Sequence, residues 1–354
     1  MPTVRERLDE HVRACLRDRY ARILVALEPL ALGLDTTAQV YHATDDAGDE
    51  WFIKARSRAL YPASCLAPRY LADHGATAVV APLPTTNGAL WARLTPPTNA
   101  WVIALYPYIT GVSGWRPGMT DAQWRATGEI VRRIHDAGLP AEGITSLRGE
   151  TFDVSDYARA VETVEARFAA VLDVGDTAAE RALRELWQTW RATIHTLVDA
   201  MRTLAERLRG HAGPYVLCHG DLHPGNLLRE DAGGVHVVDW DDVLLAPKER
   251  DFLFVGEPER DSSGQADTPF FQGYQPKEID WVAVTYYRCE RVVQDVIECA
   301  HAVCFRDDLE AVAKADAAKL FGDLFAPDGN MDAARRASTR LPPDLESLTA
   351  RLLS

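Results

Sequence analysis

No run of this sequence is long and apolar enough to cross a bilayer; the longest, around Trp101 to Ile109, falls well short of the ~20 residues a spanning helix needs. Clusters of Lys and Arg that could grip a phosphodiester backbone are also missing, and the formal net charge of -14 argues against a nucleic-acid partner. Cysteine is sparse: six residues, at positions 15, 65, 218, 289, 299 and 304, with no CxxC pair and no framework spacing, read as reduced core residues. The opening MPTVRERLDEH is charged from its fifth residue and lacks an apolar stretch, so no secretory signal is expected. Internal repeats and low-complexity tracts are absent. These absences leave a soluble cytoplasmic protein as the expectation, a monomer or homodimer with no membrane or nucleic-acid partner.

What is present is an ordinary globular balance, with 47% hydrophobic and 25% charged residues, able to bury a sizeable core. At 354 residues the chain exceeds one average domain, so two lobes sharing a cleft are expected. An acidic field suits a cationic ligand, although acidity for solubility alone is the plainer reading and stays open.

The first helix, roughly Val4 to Arg19, sets Leu8, Val12, Cys15 and Leu16 along one side. Strand-like runs follow: ILVALEPL, AQVYHA and WFIKA, the last two separated by the turn DDAGD. A helix from Ser64 to Asp73 interrupts them, and VVAPL, LWARL and WVIALYPYI complete an antiparallel meander of about five strands. Residues 1–110 would thus form a small β-rich lobe. From there the pattern turns helical, opening on the capping box Thr120 with Gln123, and long periodic segments span Ser155 to Val174 and Asp176 to Leu208. Residues 111–354 would form the larger, mainly helical lobe, interrupted by a β-rich island, YVLCHGDLHPGNLL and VHVVDW.

That island carries the chemistry. Asp221 and Asn226 have four residues between them, and Asp239 ends a hydrophobic strand thirteen positions later. Phosphoryl transfer needs one group to orient a hydroxyl and take its proton, and oxygen ligands for the Mg²⁺ that screens the phosphates; these three residues supply those oxygens. The spacing equals that of the kinase catalytic loop, and Lys54 ends the strand WFIK as the phosphate-binding lysine ends VAIK. As ordinary turn residues, Asp and Asn would need no such order. His219 and His223 are four apart, but Gly220, Pro224 and Gly225 break the helix a zinc pair of that spacing needs, so His219 is expected to brace the loop.

HGDLHPGN with VVDWDD resembles the signature of the aminoglycoside phosphotransferases, a family with the two-lobed protein-kinase-like α+β fold. DWDDVLLAPKERD, FFQGY and YYRCERVVQDV resemble its spectinomycin phosphotransferase branch, over about residues 30 to 305. The resemblance implies a kinase that moves the γ-phosphoryl group of ATP or GTP to a hydroxyl of an aminoglycoside or aminocyclitol antibiotic such as spectinomycin. It implies Asp221 as base, Asn226 and Asp239 as Mg²⁺ ligands, and Lys54 on the α- and β-phosphates. Leu105, Tyr106 and Tyr108 would form the hinge that pairs with the purine, and the turn holding Thr36 and Thr37 would cover the phosphates. Other acceptors fit the same loop, among them a nucleoside antibiotic, a biosynthetic sugar, choline or homoserine, and a nucleotide-binding pseudokinase is the reading from another class.

Two features depart from the kinase pattern. The phosphate cover has only Gly33 where kinases have GxGxxG, and relatives usually show an acid where Pro62 stands, to hold the lysine. No Asp or Glu occurs between Lys54 and Asp73, and a helix from Pro62 to Asp73 would set that acid about 16 Å further along. Lys54 is therefore expected to be oriented by phosphate alone. For the acceptor, His223, Asp241, Glu257 and Tyr287 are candidates; the acidic run including Asp242, Glu249 and Asp251 would either hold substrate ammonium groups or serve as scaffold with Arg250. Tyr286 and Tyr287 at helical spacing are equally consistent with core.

Overall fold

Alternation of buried and outward side chains along three successive strands builds the sheet that presents Lys54. In the computed structural model of the chain these are β1 (Leu24–Leu30), β2 (Ala38–Asp45) and β3 (Glu50–Arg56), preceded by α1 (Val4–Tyr20). After α2 (Ala63–Asp73) come β4 (Ala92–Arg93) and β5 (Val102–Pro107), and the antiparallel order is β1-β2-β3-β5-β4. The structure describes residues 4–30, 38–57, 59–94, 101–115, 118–140, 143–170, 177–211, 213–231, 233–255 and 268–354. They divide between two compact units, 1–149 with 216–275 and 150–215 with 276–354.

In the first unit, Trp51, Ile53 and Ala55 of β3 are buried in one core with Tyr41 and Ala43 of β2, Ile103 and Leu105 of β5, and Leu8, Val12, Leu16 and Tyr20 of α1. Each fully buried large side chain contributes about 1.5–3 kcal/mol of hydrophobic stabilisation. Because side chains alternate, Phe52, Lys54 and Arg56 fall on the opposite face of β3. Lys54 sits in register between Val40 and Ala104.

The VVAPL run does not become a strand. Val79 makes only an isolated bridge to Val237, while Val80 donates to the Val237 carbonyl and Leu83 to that of Leu105. Pro82 and Pro84 flank Leu83 and cannot donate to a ladder, which stops extension. The fifth strand is instead the short β4.

The rest of this unit carries the loop that holds Asp221 and Asn226. β6 (Val112–Ser113), β9 (Leu227–Arg229) and β10 (Val235–Val237) form one small sheet; β7 (Arg148–Gly149), β8 (Tyr215–Cys218) and β11 (Leu244–Pro247) form another. α3 (Asp121–Asp136) starts at the expected capping box, where the Gln123 N–H donates to Thr120 and the Thr120 N–H donates to the Gln123 side chain. Against it packs α6 (Pro269–Tyr274), so closely that a Cβ on Gly128 or Gly273 would strike the other helix's backbone.

The second unit is helical: α4 (Ser155–Ala170), α5 (Ala178–His211), α7 (Trp281–Cys304), α8 (Ala311–Asp323), α9 (Asn330–Ser338) and α10 (Glu346–Leu353). α7 starts where the Asp280 carboxylate accepts from the N–H groups of Val282 and Ala283, and it buries residues on most of its circumference. A five-stranded antiparallel sheet with a mostly helical remainder is the α+β class expected. Among the described residues no helix is long and apolar enough to cross a membrane.

Candidate active site

The loop from His219 to Asn226 is shaped by backbone geometry that few residues tolerate. Gly220 has φ +89, and a Cβ there would strike the Asp242 carbonyl, so only glycine fits. Its neighbours hang on one buried carboxylate: Asp251 Oδ2 accepts from the His219 N–H at 2.8 Å, and Oδ1 from the Gly220 N–H at 2.9 Å. Arg250 Nε donates to the Gly220 carbonyl at 3.1 Å. Behind Asp251, His135 Nε2 lies 3.0 Å from Oδ2 and its Nδ1 2.8 Å from the Tyr274 hydroxyl. A carboxylate only accepts, so His135 carries its proton on Nε2 toward Asp251. Burial works to raise the Asp251 carboxyl, but the hydrogen bonds from His135 and the backbone outweigh it and hold the group below the usual carboxylate range.

Within the loop this scaffold holds, Asn226 Nδ2 donates to the Asp221 carbonyl at 2.9 Å, which turns the amide so that Oδ1 points away from it. The Val238 N–H donates to the Asn226 carbonyl, and His219 Nε2 to the Val238 carbonyl at 2.9 Å, so Asn226 and the approach to Asp239 are pinned together. His219 thus braces the loop. His223 Nδ1 accepts from the Gly225 N–H at 2.9 Å, leaving Nε2–H 3.4 Å from Asp221 Oδ2. Both rings spend their nitrogens on the loop itself. His223 is also stacked on Trp115, a ring 56% exposed, and meets Phe254 edge-on. Gly225 leaves the room in which the His223 ring and the Trp115 indole fit.

Asp239 is a non-glycine residue at φ 62, a left-handed conformation that Asp tolerates better than most. Lys54 Nζ donates to Asp239 Oδ1 at 2.7 Å and to Asp241 Oδ2 at 2.9 Å, and Asp241 is also paired with Arg56. Desolvation works to raise the Asp239 carboxyl; Lys54, backed by Arg56, outweighs it and holds the group low. The expectation that no acid orients Lys54 is therefore overturned. Its partners come from the segment after β10, while the α2 acid, Asp73, is paired with Arg69.

Asn226 and Asp239 offer an amide oxygen and a carboxylate, a hard-oxygen set that fits Mg²⁺. Leu105 and Tyr106 lie in β5, next to the strand of Lys54, and Tyr108 extends it by donating from its N–H to the Glu50 carbonyl at 3.2 Å. Thr36, Thr37 and Glu257 lie outside the described residues. Tyr287 is wholly buried in α7 of the second unit, against Phe152 and Tyr286.

Lys54, the loop from Asp221 to Asn226 and Asp239 thus stand together in one unit of the chain. The sequence model described as the phosphotransferase enzyme family (APH) matches residues 28–287. The chain belongs to that family. It is a phosphotransferase acting on an alcohol group. Among solved structures, this phosphotransferase is similar to spectinomycin phosphotransferase APH(9)-Ia in complex with ADP and spectinomycin: TM-score 0.78, 25% identity, 93% of this chain and 98% of that one. The AMP-bound complex of the same enzyme gives 0.75 at 25% identity, over 92% and 97%. A microcompartment-associated aminopropanol kinase shares the fold, with TM-score 0.61 and 16% identity over 97% and 99%. No curated protein sequence matches the chain.

Sequence reasoning missed three residues of this phosphotransferase's site. Arg56 had a signal, since two residues beyond Lys54 in a strand is the same face. His135 and Trp115 had none, because each reaches the loop from more than a hundred residues away in sequence.

Proposed function

We propose that this phosphotransferase moves the γ-phosphoryl group of ATP directly to a hydroxyl of a small, ring-bearing, cationic acceptor of the aminocyclitol class, with Asp221 as base. One observation carries the reading: Asp221 is held beside Asn226 and tied through Val238 to Asp239, which in turn is hydrogen-bonded to Lys54. The base, the oxygen donors and the phosphate-binding cation stand together in one unit of the chain.

In the transfer, Asp221 takes the proton of the acceptor hydroxyl as its oxygen bonds to the γ-phosphorus and the bond to the bridging β,γ-oxygen breaks. His223 Nε2, 3.4 Å from Asp221 Oδ2, faces one carboxylate oxygen and leaves the other for the acceptor. Mg²⁺, held by Asn226 and Asp239, would neutralise phosphate charge. Lys54 exchanges its contact with Asp239 for phosphate oxygens. On the purine, strand parity refines the hinge. Phe52 faces Tyr106 in register and Tyr108 bonds Glu50, so Tyr106 and Tyr108 turn their backbone groups to β3. Leu105 gives its carbonyl to Leu83. The next outward groups are the Pro107 carbonyl and the Ile109 N–H, an acceptor followed by a donor, which matches the amine and N1 of adenine.

The acceptor class rests on Trp115, whose exposed ring beside His223 and Phe254 offers a stacking surface next to the base. It also rests on the net charge of -14 and on the likeness to a structure that binds spectinomycin. The test is ADP release and mass spectrometry across aminocyclitols, nucleoside antibiotics and amino alcohols. A single added phosphate on an aminocyclitol, with kcat of Asp221→Asn reduced about 10²- to 10⁴-fold, is expected. Full turnover by that variant would remove Asp221 from the role.

A further inference from the structure

Lys54 ends in an ammonium on a flexible four-carbon stem, so an anion must hold it extended toward a phosphate. Two carboxylates do so, Asp239 at 2.7 Å and Asp241 at 2.9 Å. Only one of them can be a lasting partner. Asp239 is a candidate metal ligand, and its oxygens would be engaged by a bound metal. Asp241 sits two residues on, and its second cation is not Lys54 but Arg56, whose side chain is 5% exposed. Arg56 and Lys54 are two apart in β3 and share one face, so the rigid strand sets both cations against one carboxylate.

α2 offers no substitute. Its sequence ASCLAPRYLAD has no acid before Asp73, which is paired with Arg69 on the same helix. The α2 side chain that meets this region is Cys65, whose thiol lies in electrostatic range of both Arg56 and Lys54 and 3.9 Å from the Tyr106 hydroxyl. Buried as it is, the thiol stays neutral and offers Lys54 no charge.

We propose that Asp241, anchored by Arg56, is the positioning residue that orients Lys54 for the nucleotide, in place of an acid on α2. The inference rests on the phosphotransfer reading above and adds to it a role for two residues that do not touch the reacting atoms. It assigns Asp241 to the nucleotide side of the site rather than to the acceptor.

The test is titration with a fluorescent ADP analogue, with and without Mg²⁺, alongside steady-state kinetics and thermal melting of the full chain. Asp241→Asn is expected to weaken nucleotide binding and raise the KM for ATP about 10- to 100-fold, the worth of one hydrogen bond between charged groups. The acceptor KM and the Mg²⁺ concentration for half-activity should stay within about twofold on the same reasoning. On a Lys54→Met background the substitution should add nothing, because its effect passes through the lysine. Cys65→Asp should restore much of the affinity lost in Asp241→Asn, and it also supplies a second variant if the single one folds poorly. A rise in acceptor KM alone would make Asp241 a substrate contact, and a shifted Mg²⁺ requirement with unchanged metal-free affinity would make it a metal ligand. A lowered melting temperature with unaltered kinetics would make it scaffold; each of these three results overturns the inference and leaves phosphotransfer standing. If the unaltered protein binds no nucleotide, the phosphotransfer reading itself fails.

Discussion

The carboxylate of Asp251 offers the clearest test of how the loop is held, through the isosteric substitution Asp251→Asn. Three donors converge on it: the N–H groups of His219 and Gly220 and the ring of His135. An amide presents one oxygen and one NH₂, so at least one donor must face another donor in a site with almost no solvent. Leaving a buried donor unmatched costs about 1–3 kcal/mol. For a unit of this size that lowers the melting temperature by about 2–12 °C. The sign with pH follows from the depressed carboxyl. Its contribution is complete above the unfolded value of about 3.9 and is lost as pH falls through the lower folded value. The gap between parent and variant should thus be full at pH 7 and shrink progressively as pH falls below about 4. Urea unfolding of both proteins from pH 7 to pH 3, followed by tryptophan fluorescence, measures it. A gap under about 1 kcal/mol at pH 7, or one that closes already between pH 7 and pH 5, would refute the account of Asp251 as the charged brace of the loop.

Two further predictions come from side chains that the chemistry does not consume. Trp115→Ala should raise the acceptor KM about 5- to 30-fold, from the loss of one aromatic face, and leave the KM for ATP unchanged; initial-rate kinetics in both substrates check this. All six cysteines are buried and none is in a disulfide, with burial pushing Cys289 and Cys299 up to about 12 and Cys15 to about 11. A colorimetric thiol reagent at pH 8 should therefore react slowly with the native protein and promptly with six thiols in denaturant. Fast reaction of even one native thiol would show an opening of the fold that the burial does not predict.

Short-range pattern alone fixed the elements and the order of the chemistry. Period-two alternation in WFIKAR set Ile53 into the core and Lys54 on the opposite face, and the spacing of Asp221, Asn226 and Asp239 matches that of the kinase catalytic loop. The Thr120 and Gln123 capping box placed the start of α3 correctly, because both of its hydrogen bonds close within one turn. Tertiary structure decided what local pattern does not encode. Asp239 and Asp241 reach Lys54 across 185 and 187 residues, and His135 reaches Asp251 across 116, so no spacing rule links them. Sequence proximity points to α2 for the acid that meets Lys54, whereas packing delivers it from the segment beyond β10. VVAPL failed as a strand for a related reason: its apolar residues suit a sheet, but a ladder needs donors at successive positions, and two prolines withhold them. Propensity and period act over a few residues, while ion pairs and ladders depend on which distant backbones the core brings together.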